Sequence, residues 1–248
     1  MKKGILLCCH GTRNTEGIKD TLKLFKIFKK KKKNFIVKIG YLESATPNIS
    51  SQIDFFLRKN FDIILIKPAM IFPGNHVNKD IPKIIENSLK KYKKKIKIKI
   101  SYPLLKSKKF IKNIQFNLKE KLSKIDKKET ALIVVASNTV NIDAKREINF
   151  LTKKLAKNEG IRYYKNILIT LNKENLKQQL NKLSIDYSKF IILPIFLFRG
   201  KLLKNLISVI DKLNKKNNKY VVCKHFNDYK KVENLINSSK DYNYINKL

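Results

Sequence analysis

The chain has 248 residues and a formal net charge of +37, and 43% of its residues are hydrophobic. This hydrophobic content supports a packed core and excludes an intrinsically disordered chain, and the length allows two small domains. No apolar run approaches the roughly 20 residues of a membrane-spanning helix, so we expect no membrane segment. The apolar stretch near the N-terminus is short and ends at a Gly-Thr-Arg turn, so we do not expect a signal peptide.

The positive charge comes mainly from lysine, because only five of the 56 basic residues are arginine. The lysines are spread along the chain with many asparagines and isoleucines, which is typical of an A- and T-rich coding sequence. A nucleic-acid site more often concentrates arginine and interleaves aromatic residues. We therefore predict no nucleic-acid partner, interpret the lysine run at 29–33 as a solvated helix end, and expect the charge to attract a polyanionic small substrate.

Apolar runs alternate with segments of helical periodicity along the whole chain. In the first half the pattern predicts strands at 3–9, 35–42, 61–67 and 96–100, followed by helices at 17–30, 47–59, 80–92 and 107–124. In the second half it predicts strands at 131–137, 166–171 and 220–226, an apolar segment at 189–200, and helices at 142–157, 173–183, 201–214 and 229–238. The tail from residue 238 is predicted to be poorly ordered.

The two halves repeat each other. ALIVVAS at 131–137 matches ILLCCH at 5–10, and the segment 189–200 matches 63–74, with an offset of 126 to 127 residues. A tandem duplication explains this repeat, and strands alternating with helices imply parallel sheets. We predict an α/β fold of two tandem domains, 1–125 and 126–248, each a parallel sheet of about four strands flanked by helices.

Three polar residues follow the first three predicted strands. His10 ends the first strand, Glu43 follows the second, and His76 lies on the loop after the third, before a helix for which Asp80 is the candidate N-cap. Because the carboxyl ends of parallel strands share one edge of the sheet, these side chains can converge. Two imidazoles and a carboxylate can hold a divalent metal or accept protons near neutral pH.

The second half lacks this set, so the chemistry is predicted to belong to the first domain. The corresponding positions are Ser137, about Thr170, and Leu202. The third histidine, His225, has no acidic or histidine neighbour in the sequence and is interpreted as structural. Three cysteines form no disulfide or metal pattern, which fits a reducing cytoplasm, and two of them, Cys8 and Cys9, are predicted to be buried in the first strand.

The segments LLCCHGTR, GYLESATP and PAMIFPGNHVNKDIP resemble three consecutive motifs of the class II chelatases. These are the sirohydrochlorin cobalt- and iron-chelatases of the CbiX and SirB type. The segments ALIVVASN and LPIFLFRGKLL resemble the degenerate second repeat of the long, two-domain members. One departure is Ser137-Asn138-Thr139, where such proteins often carry an Arg-Gly-Ser turn, so a substrate contact from that turn is in doubt.

The resemblance implies an enzyme that inserts a divalent metal into sirohydrochlorin or a related tetrapyrrole without ATP, with the metal as substrate and no tightly bound cofactor. It implies that His10 and His76 are catalytic and handle the metal, and that Glu43 is the acidic catalytic residue. For the carboxylate rim of the tetrapyrrole the candidates are the following residues: Arg13, Gly11, Thr12, Gly74 and Asn75. We expect a monomer or weak dimer. Details of the motifs favour Co²⁺ and cobalamin biosynthesis, with Fe²⁺ and siroheme as the alternative.

Two other classes of protein fit the sequence less well. A histidine phosphatase also places His-Gly after a first strand, but it needs an arginine before the histidine to bind phosphate, and Cys9 stands there. A non-enzymatic basic binding protein would show strongly salt-dependent binding to arbitrary DNA and no macrocycle binding.

Overall fold

The structure is a computed structural model, which describes residues 1–93, 96–123, 125–183, 187–226 and 228–244. The strands of these residues are β1 Lys3–Cys9, β2 Ile36–Tyr41, β3 Ile63–Pro68, β4 Lys97–Ser101, β5 Thr130–Ser137, β6 Tyr163–Ile169, β7 Lys189–Pro194, β8 Tyr220–Val222 and β9 Asp241–Tyr244. The α-helices are α1 Thr15–Lys31, α2 Ile49–Arg58, α3 Ile81–Tyr92, α4 Lys108–Leu122, α5 Ile142–Glu159, α6 Lys173–Asn181, α7 Lys201–Asn217 and α8 Tyr229–Ser238.

The chain forms two compact units. The first contains Met1–Phe110 and the C-terminal segment from Asp228, and the second contains Ile111–Asn227. The predicted domains, 1–125 and 126–248, follow the sequence repeat, whereas the compact units divide within α4 and return the C-terminal segment to the first unit.

Each unit is built on a mainly parallel sheet. In the first unit the strand order is β2-β1-β3-β4-β9, and in the second it is β6-β5-β7-β8. The pairs β1–β2, β1–β3 and β3–β4 are parallel, as are β5–β6, β5–β7 and β7–β8. The predicted α/β class is confirmed, and the carboxyl ends of β1 to β4 lie along one edge of the first sheet.

The C-terminal tail corrects one prediction. Asp241–Tyr244, expected to be poorly ordered, forms β9, which pairs antiparallel with β4 and makes the first sheet five-stranded. Tyr242 and Tyr244 pack against the core of the first unit, while the carboxylate of Asp241 lies 2.7 Å from the ammonium of Lys67. The rest of the predicted tail, 245–248, lies outside the described residues. The last strand of the second sheet, β8, is also shorter than predicted, since it ends at Val222.

The N-termini of equivalent helices in the two halves are capped in the same way. Asn14 caps α1 by accepting the Gly17 N–H, and Asn141 caps α5 by accepting the Ala144 N–H. A capping side chain satisfies a backbone donor that has no partner within the helix. Asparagine caps therefore begin equivalent helices in both halves at the edge where parallel strands end.

The cores are formed by the apolar runs that predicted the strands. Leu6, Ile64 and Phe56 pack in the core of the first unit, and Ile133 and Phe190 pack in the core of the second. The three cysteines are free and buried, and the predicted burial of the two in β1 is confirmed. Within the described residues, no helix is both long enough and apolar enough to cross a membrane.

Candidate active site

The turn after β1 positions His10 and requires glycine at the next position. Gly11 has a φ of +97°, and a Cβ built there would lie 1.8 Å from the backbone oxygen of Glu43. A side chain is excluded by both the backbone conformation and the close approach. Glycine thus lets the segment after β2 lie directly on this turn, where the Glu43 N–H donates to the His10 carbonyl oxygen over 3.1 Å.

This backbone contact brings the Glu43 carboxylate to the His10 ring. Oε1 of Glu43 lies 3.4 Å from Nδ1 of His10, and the Gly11 carbonyl oxygen lies 3.3 Å from the same nitrogen. The side chains are 52% and 58% exposed for His10 and Glu43, so the pair is open to solvent. Both oxygens lie on the Nδ1 side of the ring, and they favour the proton at Nδ1.

The loop after β3 enters a helix one turn earlier than predicted. The Gly74 carbonyl oxygen accepts the N–H groups of Val77 and Asn78, and His76–Asp80 forms a π-helical turn that continues into α3. In this turn the Ile81 N–H donates to the His76 carbonyl oxygen, five residues back. Such wide turns occur frequently at functional sites.

Asp80 does not cap α3, which corrects the sequence prediction. Its side chain makes no capping hydrogen bond, because residues 76–80 already continue the helix in front of it. Instead, the Nδ1–H of His76 donates to Oδ2 of Asp80 over 2.7 Å. Sequence reasoning missed this partner, although a histidine and an aspartate four residues apart on a helix lie on one face.

The two histidines are in contact. Their ring centroids are 4.7 Å apart, and the ring planes are at 89° to each other. In the part of the chain that the structure describes, each ring makes its polar contacts through Nδ1. An imidazole whose Nδ1–H is held by a carboxylate carries its lone pair on Nε2, which can bind a metal or accept a proton.

The structure therefore brings together all three predicted side chains, His10, Glu43 and His76, and adds Asp80. Among the described residues, no group of three or more His, Cys, Asp or Glu side chains is arranged to hold a metal ion. The candidate site is thus a pair of imidazoles, each beside its own carboxylate.

The other predicted contacts lie on the same two turns. Arg13, three residues after His10 in the sequence, is exposed, and Thr12 Oγ1 accepts the Asn14 N–H over 3.1 Å. Gly74 and Asn75 immediately precede His76 and are half-buried. A Cβ at Gly74 would have no heavy atom within 4 Å, so packing does not require glycine there.

In the second unit, the positions that correspond to this site carry different side chains. Ser137 ends β5, Thr170 follows β6, and Leu202 lies in the first turn of α7. The turn after β5 repeats the hydrogen bond of the first half, since Thr139 Oγ1 accepts the Asn141 N–H over 3.1 Å. Equivalent backbone positions therefore carry a serine, a threonine and a leucine in place of the imidazoles and the carboxylate.

Comparison with known proteins reflects the duplication of the chain. The family model described as CbiX matches residues 4–121 and again residues 131–241. A sirohydrochlorin cobaltochelatase of Priestia megaterium is 22% identical over 239 residues, which cover 94% of this chain and 78% of that protein. A sirohydrochlorin ferrochelatase of the same organism is 21% identical over 223 residues, covering 89% of this chain and 83% of that protein.

The fold is also similar to that of a solved structure. SirB from Bacillus subtilis with Fe³⁺ superposes with a TM-score of 0.76 at 18% identity, over 95% of this chain and 93% of that one. At this identity the similarity shows the fold. The family model covers both halves of the sequence, and the chain belongs to the CbiX family. The family resemblance stated from the sequence motifs is confirmed.

Proposed function

We propose that this protein is a sirohydrochlorin chelatase that inserts a divalent metal, with Co²⁺ as the first candidate and Fe²⁺ as the second. The observation that carries the proposal is the contact between His10 and His76, with each Nδ1 facing a carboxylate. Family membership and relatives of both chelatase names support the reaction class. Cobalt insertion would place the protein in cobalamin biosynthesis, and iron insertion would place it in siroheme formation.

The reaction exchanges pyrrole N–H protons for the metal, so the site must deliver a cation and take up protons. With Nδ1–H held by Glu43 or Asp80, each imidazole offers its Nε2 lone pair to one of these tasks. Glu43 and Asp80 are 58% and 46% exposed, which supports a role in passing a proton on to solvent. Two imidazoles alone bind a divalent ion less firmly than a full ligand set, which suits an ion that has to leave for the macrocycle.

We further propose that the two turns bind carboxylates of the tetrapyrrole rim. Arg13 can pair with a carboxylate, and Thr12 can still donate its hydroxyl hydrogen while its oxygen accepts the Asn14 N–H. Gly11, Gly74 and Asn75 would contribute backbone N–H groups. The three unpaired, buried cysteines support a reducing cytoplasmic location.

The test follows the absorbance change as Co²⁺, or anaerobically Fe²⁺, enters sirohydrochlorin. We expect the wild-type protein to insert at least one metal. His10→Ala and His76→Ala are each expected to slow insertion by about 10²-fold or more, since general acid–base groups contribute about 10²–10⁴-fold.

Ser137→Ala, at the second-half position equivalent to His10, is the matched control and is expected to stay within about twofold of wild type, because surface substitutions away from a site have small effects. A wild-type protein that inserts neither metal would contradict the proposed reaction. A fully active His76→Ala variant at limiting concentrations of both metals would contradict the assignment of the site.

A further inference from the structure

A lysine-rich cavity lies at the carboxyl end of β4, in the same unit as the two histidines. Its volume is about 580 Å³, which is within the range of small-molecule sites. Tyr102 and Pro103 line it together with three serines and four lysines, and none of its described lining residues is acidic. The four lysines are Lys106, Lys108, Lys109 and Lys240. This set is here called the lysine pocket.

The lysine pocket is formed by two distant parts of the chain that are joined by hydrogen bonds. The Tyr102 N–H, after β4, donates to the carbonyl oxygen of Lys240, before β9, over 3.0 Å. The rings of Tyr102 and Tyr242 are 5.0 Å apart. The end of α8 and the link from α8 to β9 thus supply one side of the pocket, with Lys240 on this link.

A buried ion pair fixes this strand at the edge of the sheet. Lys67 is 3% exposed, and its ammonium lies 2.7 Å from Oδ1 of Asp241, which also accepts the hydroxyl hydrogen of Ser101. These residues come from β3, β9 and β4. The buried ammonium of Lys67 needs a close ion-pair partner, and the carboxylate of Asp241 is that partner. The residue beside Lys240 therefore belongs to the framework of the sheet.

The lysine pocket is also connected to the loop that carries His76. The N–H groups of Leu104 and Leu105 donate to the carbonyl oxygens of Met70 and Ile71, over 3.0 and 2.9 Å. Met70 and Ile71 belong to the loop between β3 and His76, and Leu104 and Leu105 stand between Pro103 and Lys106. The pocket and the histidine turn are thus fixed to each other through backbone hydrogen bonds.

The spacing of the strands gives the scale of the arrangement. His10 follows β1, and the lysine pocket follows β4, two strands away in the order β1-β3-β4. Neighbouring strands are about 4.8 Å apart, so the two features are separated along this edge by about 10 Å. A tetrapyrrole whose centre lies at the histidines extends over such a distance toward its rim.

We propose that the lysine pocket binds carboxylate side chains on one edge of the tetrapyrrole and so positions the ring centre at the histidine pair. This inference rests on the proposed function. The substrate joins a flat apolar ring to a carboxylate rim, and the pocket joins aromatic and proline surface to several ammonium groups. Lysine acts here as a compact cation that can follow flexible carboxylate arms. The lysines are positioning residues, distant from the reacting nitrogens.

The test uses a double variant, Lys108→Gln with Lys240→Gln, because these lysines come from the two segments that form the pocket. We expect the KM for sirohydrochlorin to rise by about 5–20-fold with kcat within about twofold, since each exposed charge pair is worth a few-fold in binding. Titration of the protein with metal-free sirohydrochlorin should show the same loss of affinity. The difference from wild type should shrink at about 1 M salt, where charges are screened.

Two matched variants distinguish a positioning role of the lysine pocket from a general effect of positive charge on substrate binding. Lys108→Arg with Lys240→Arg keeps the charges and should restore most of the affinity. Lys153→Gln with Lys154→Gln removes the same charge from exposed positions of α5 in the other unit and should leave KM within about twofold of wild type. A fully esterified tetrapyrrole, which lacks the carboxylates, should not distinguish the pocket variant from wild type.

Wild-type affinity in the glutamine pair, or an equal loss in the α5 pair, would overturn the inference while leaving the proposed function intact. Failure of the wild-type protein to insert metal concerns the proposed function instead. Binding of metal-free sirohydrochlorin by the inactive His76→Ala variant keeps the two questions apart, because that variant retains the lysine pocket. If that variant binds sirohydrochlorin tightly and the added glutamine pair does not weaken the binding, the lysine pocket has no positioning role.

Discussion

His76 and Asp80 show how a single hydrogen bond can define the chemistry of a ring. The 2.7 Å contact between Nδ1 and Oδ2 holds the imidazole in one orientation and, under the proposed function, leaves Nε2 to act on the substrate. His10 is held less tightly, because its Nδ1 is shared between Glu43 at 3.4 Å and the Gly11 carbonyl oxygen at 3.3 Å. This difference fits a division of tasks between the two histidines.

We predict that Asp80→Ala lowers the rate of metal insertion by about 10–100-fold, because loss of a partner behind a ligating histidine typically has an effect of that size. Asp80→Asn can still accept the Nδ1–H and should recover part of the rate. Glu43→Gln should have a smaller effect than loss of either histidine, since Glu43 acts behind His10. The measurement is the initial rate of the absorbance change with Co²⁺ and Fe²⁺.

Asp143→Ala provides the control for Asp80, because Asp143 is an exposed aspartate in the second unit that pairs with Arg146 three residues on. It should leave the rate within about twofold of wild type. An Asp80→Ala variant with the wild-type rate at limiting metal would show that the His76–Asp80 contact is unimportant for the reaction.

At the scale of secondary-structure elements, the turn between β1 and α1 depends on one glycine. We predict that Gly11→Ala destabilises the protein by about 1–3 kcal/mol, which is the usual cost of a residue held in an unfavourable backbone region. For a chain of this size that corresponds to a fall in Tm of about 2–10 °C. Thermal unfolding followed by circular dichroism measures it. Activity should also fall, because the added Cβ displaces the Glu43 backbone.

Gly74→Ala is the matched control for this prediction. The position lacks a positive φ and has open space where the Cβ would lie, so its Tm should remain within about 2 °C of wild type. Equal stability of the two variants would contradict the account of the turn after β1.

The buried strands should protect all three cysteines. Burial raises the pKa values of the Cys8 and Cys9 thiols well above their usual range, and it raises the pKa of Cys223 to about 12. Because the thiolate is the reactive form, we predict negligible alkylation of the native protein between pH 7 and 9 and three labelled thiols after denaturation, as counted by mass spectrometry. Rapid labelling of the native protein would contradict the burial of these strands.

At the scale of the whole molecule, the net charge of +37 is distributed over many helix ends. Lysines occupy the last turns of α1, α3, α4 and α7, where a cation stabilises the carboxyl end of a helix. The run at 29–33 includes the last turn of α1, and Lys31 within it pairs with the buried Glu233 of α8. Part of the charge thus has a structural role.

We predict that the protein does not bind DNA or RNA with useful affinity at physiological salt, in spite of its charge. Non-specific attraction should be visible in a gel shift at low salt and should disappear as salt rises, because released counterions drive such binding. Tight, sequence-preferring binding near 150 mM salt would contradict the prediction. A duplex of arbitrary sequence, equal in length to the duplex under test, serves as the control for sequence preference.

The repeat and the order of the strands could be read from the sequence because they depend on local patterns. Apolar runs such as 3–9 and 131–137 form strands where they stand, and the matched motifs reveal the duplication. His10, Glu43 and His76 were placed at strand ends by the same reasoning, and parallel pairing brings strand ends to one edge. The convergence of these three side chains could therefore be predicted from little more than the order of the elements.

The tertiary structure decided what depends on partners distant in sequence or on one exact turn. Lys67 and Asp241 are 174 residues apart, so no local sequence pattern could predict their ion pair, the strand β9 or the lysine pocket beside it. The partner of His76 depended on a π-helical turn, which moved Asp80 from a capping position to the Nδ1 of the imidazole. The periodicity of the sequence determined which segments became strands and helices. Burial of the Lys67 charge and the geometry of the π-helical turn determined which side chains came into contact. The interaction energies of these contacts exist only after the chain has folded, so the sequence pattern does not contain them.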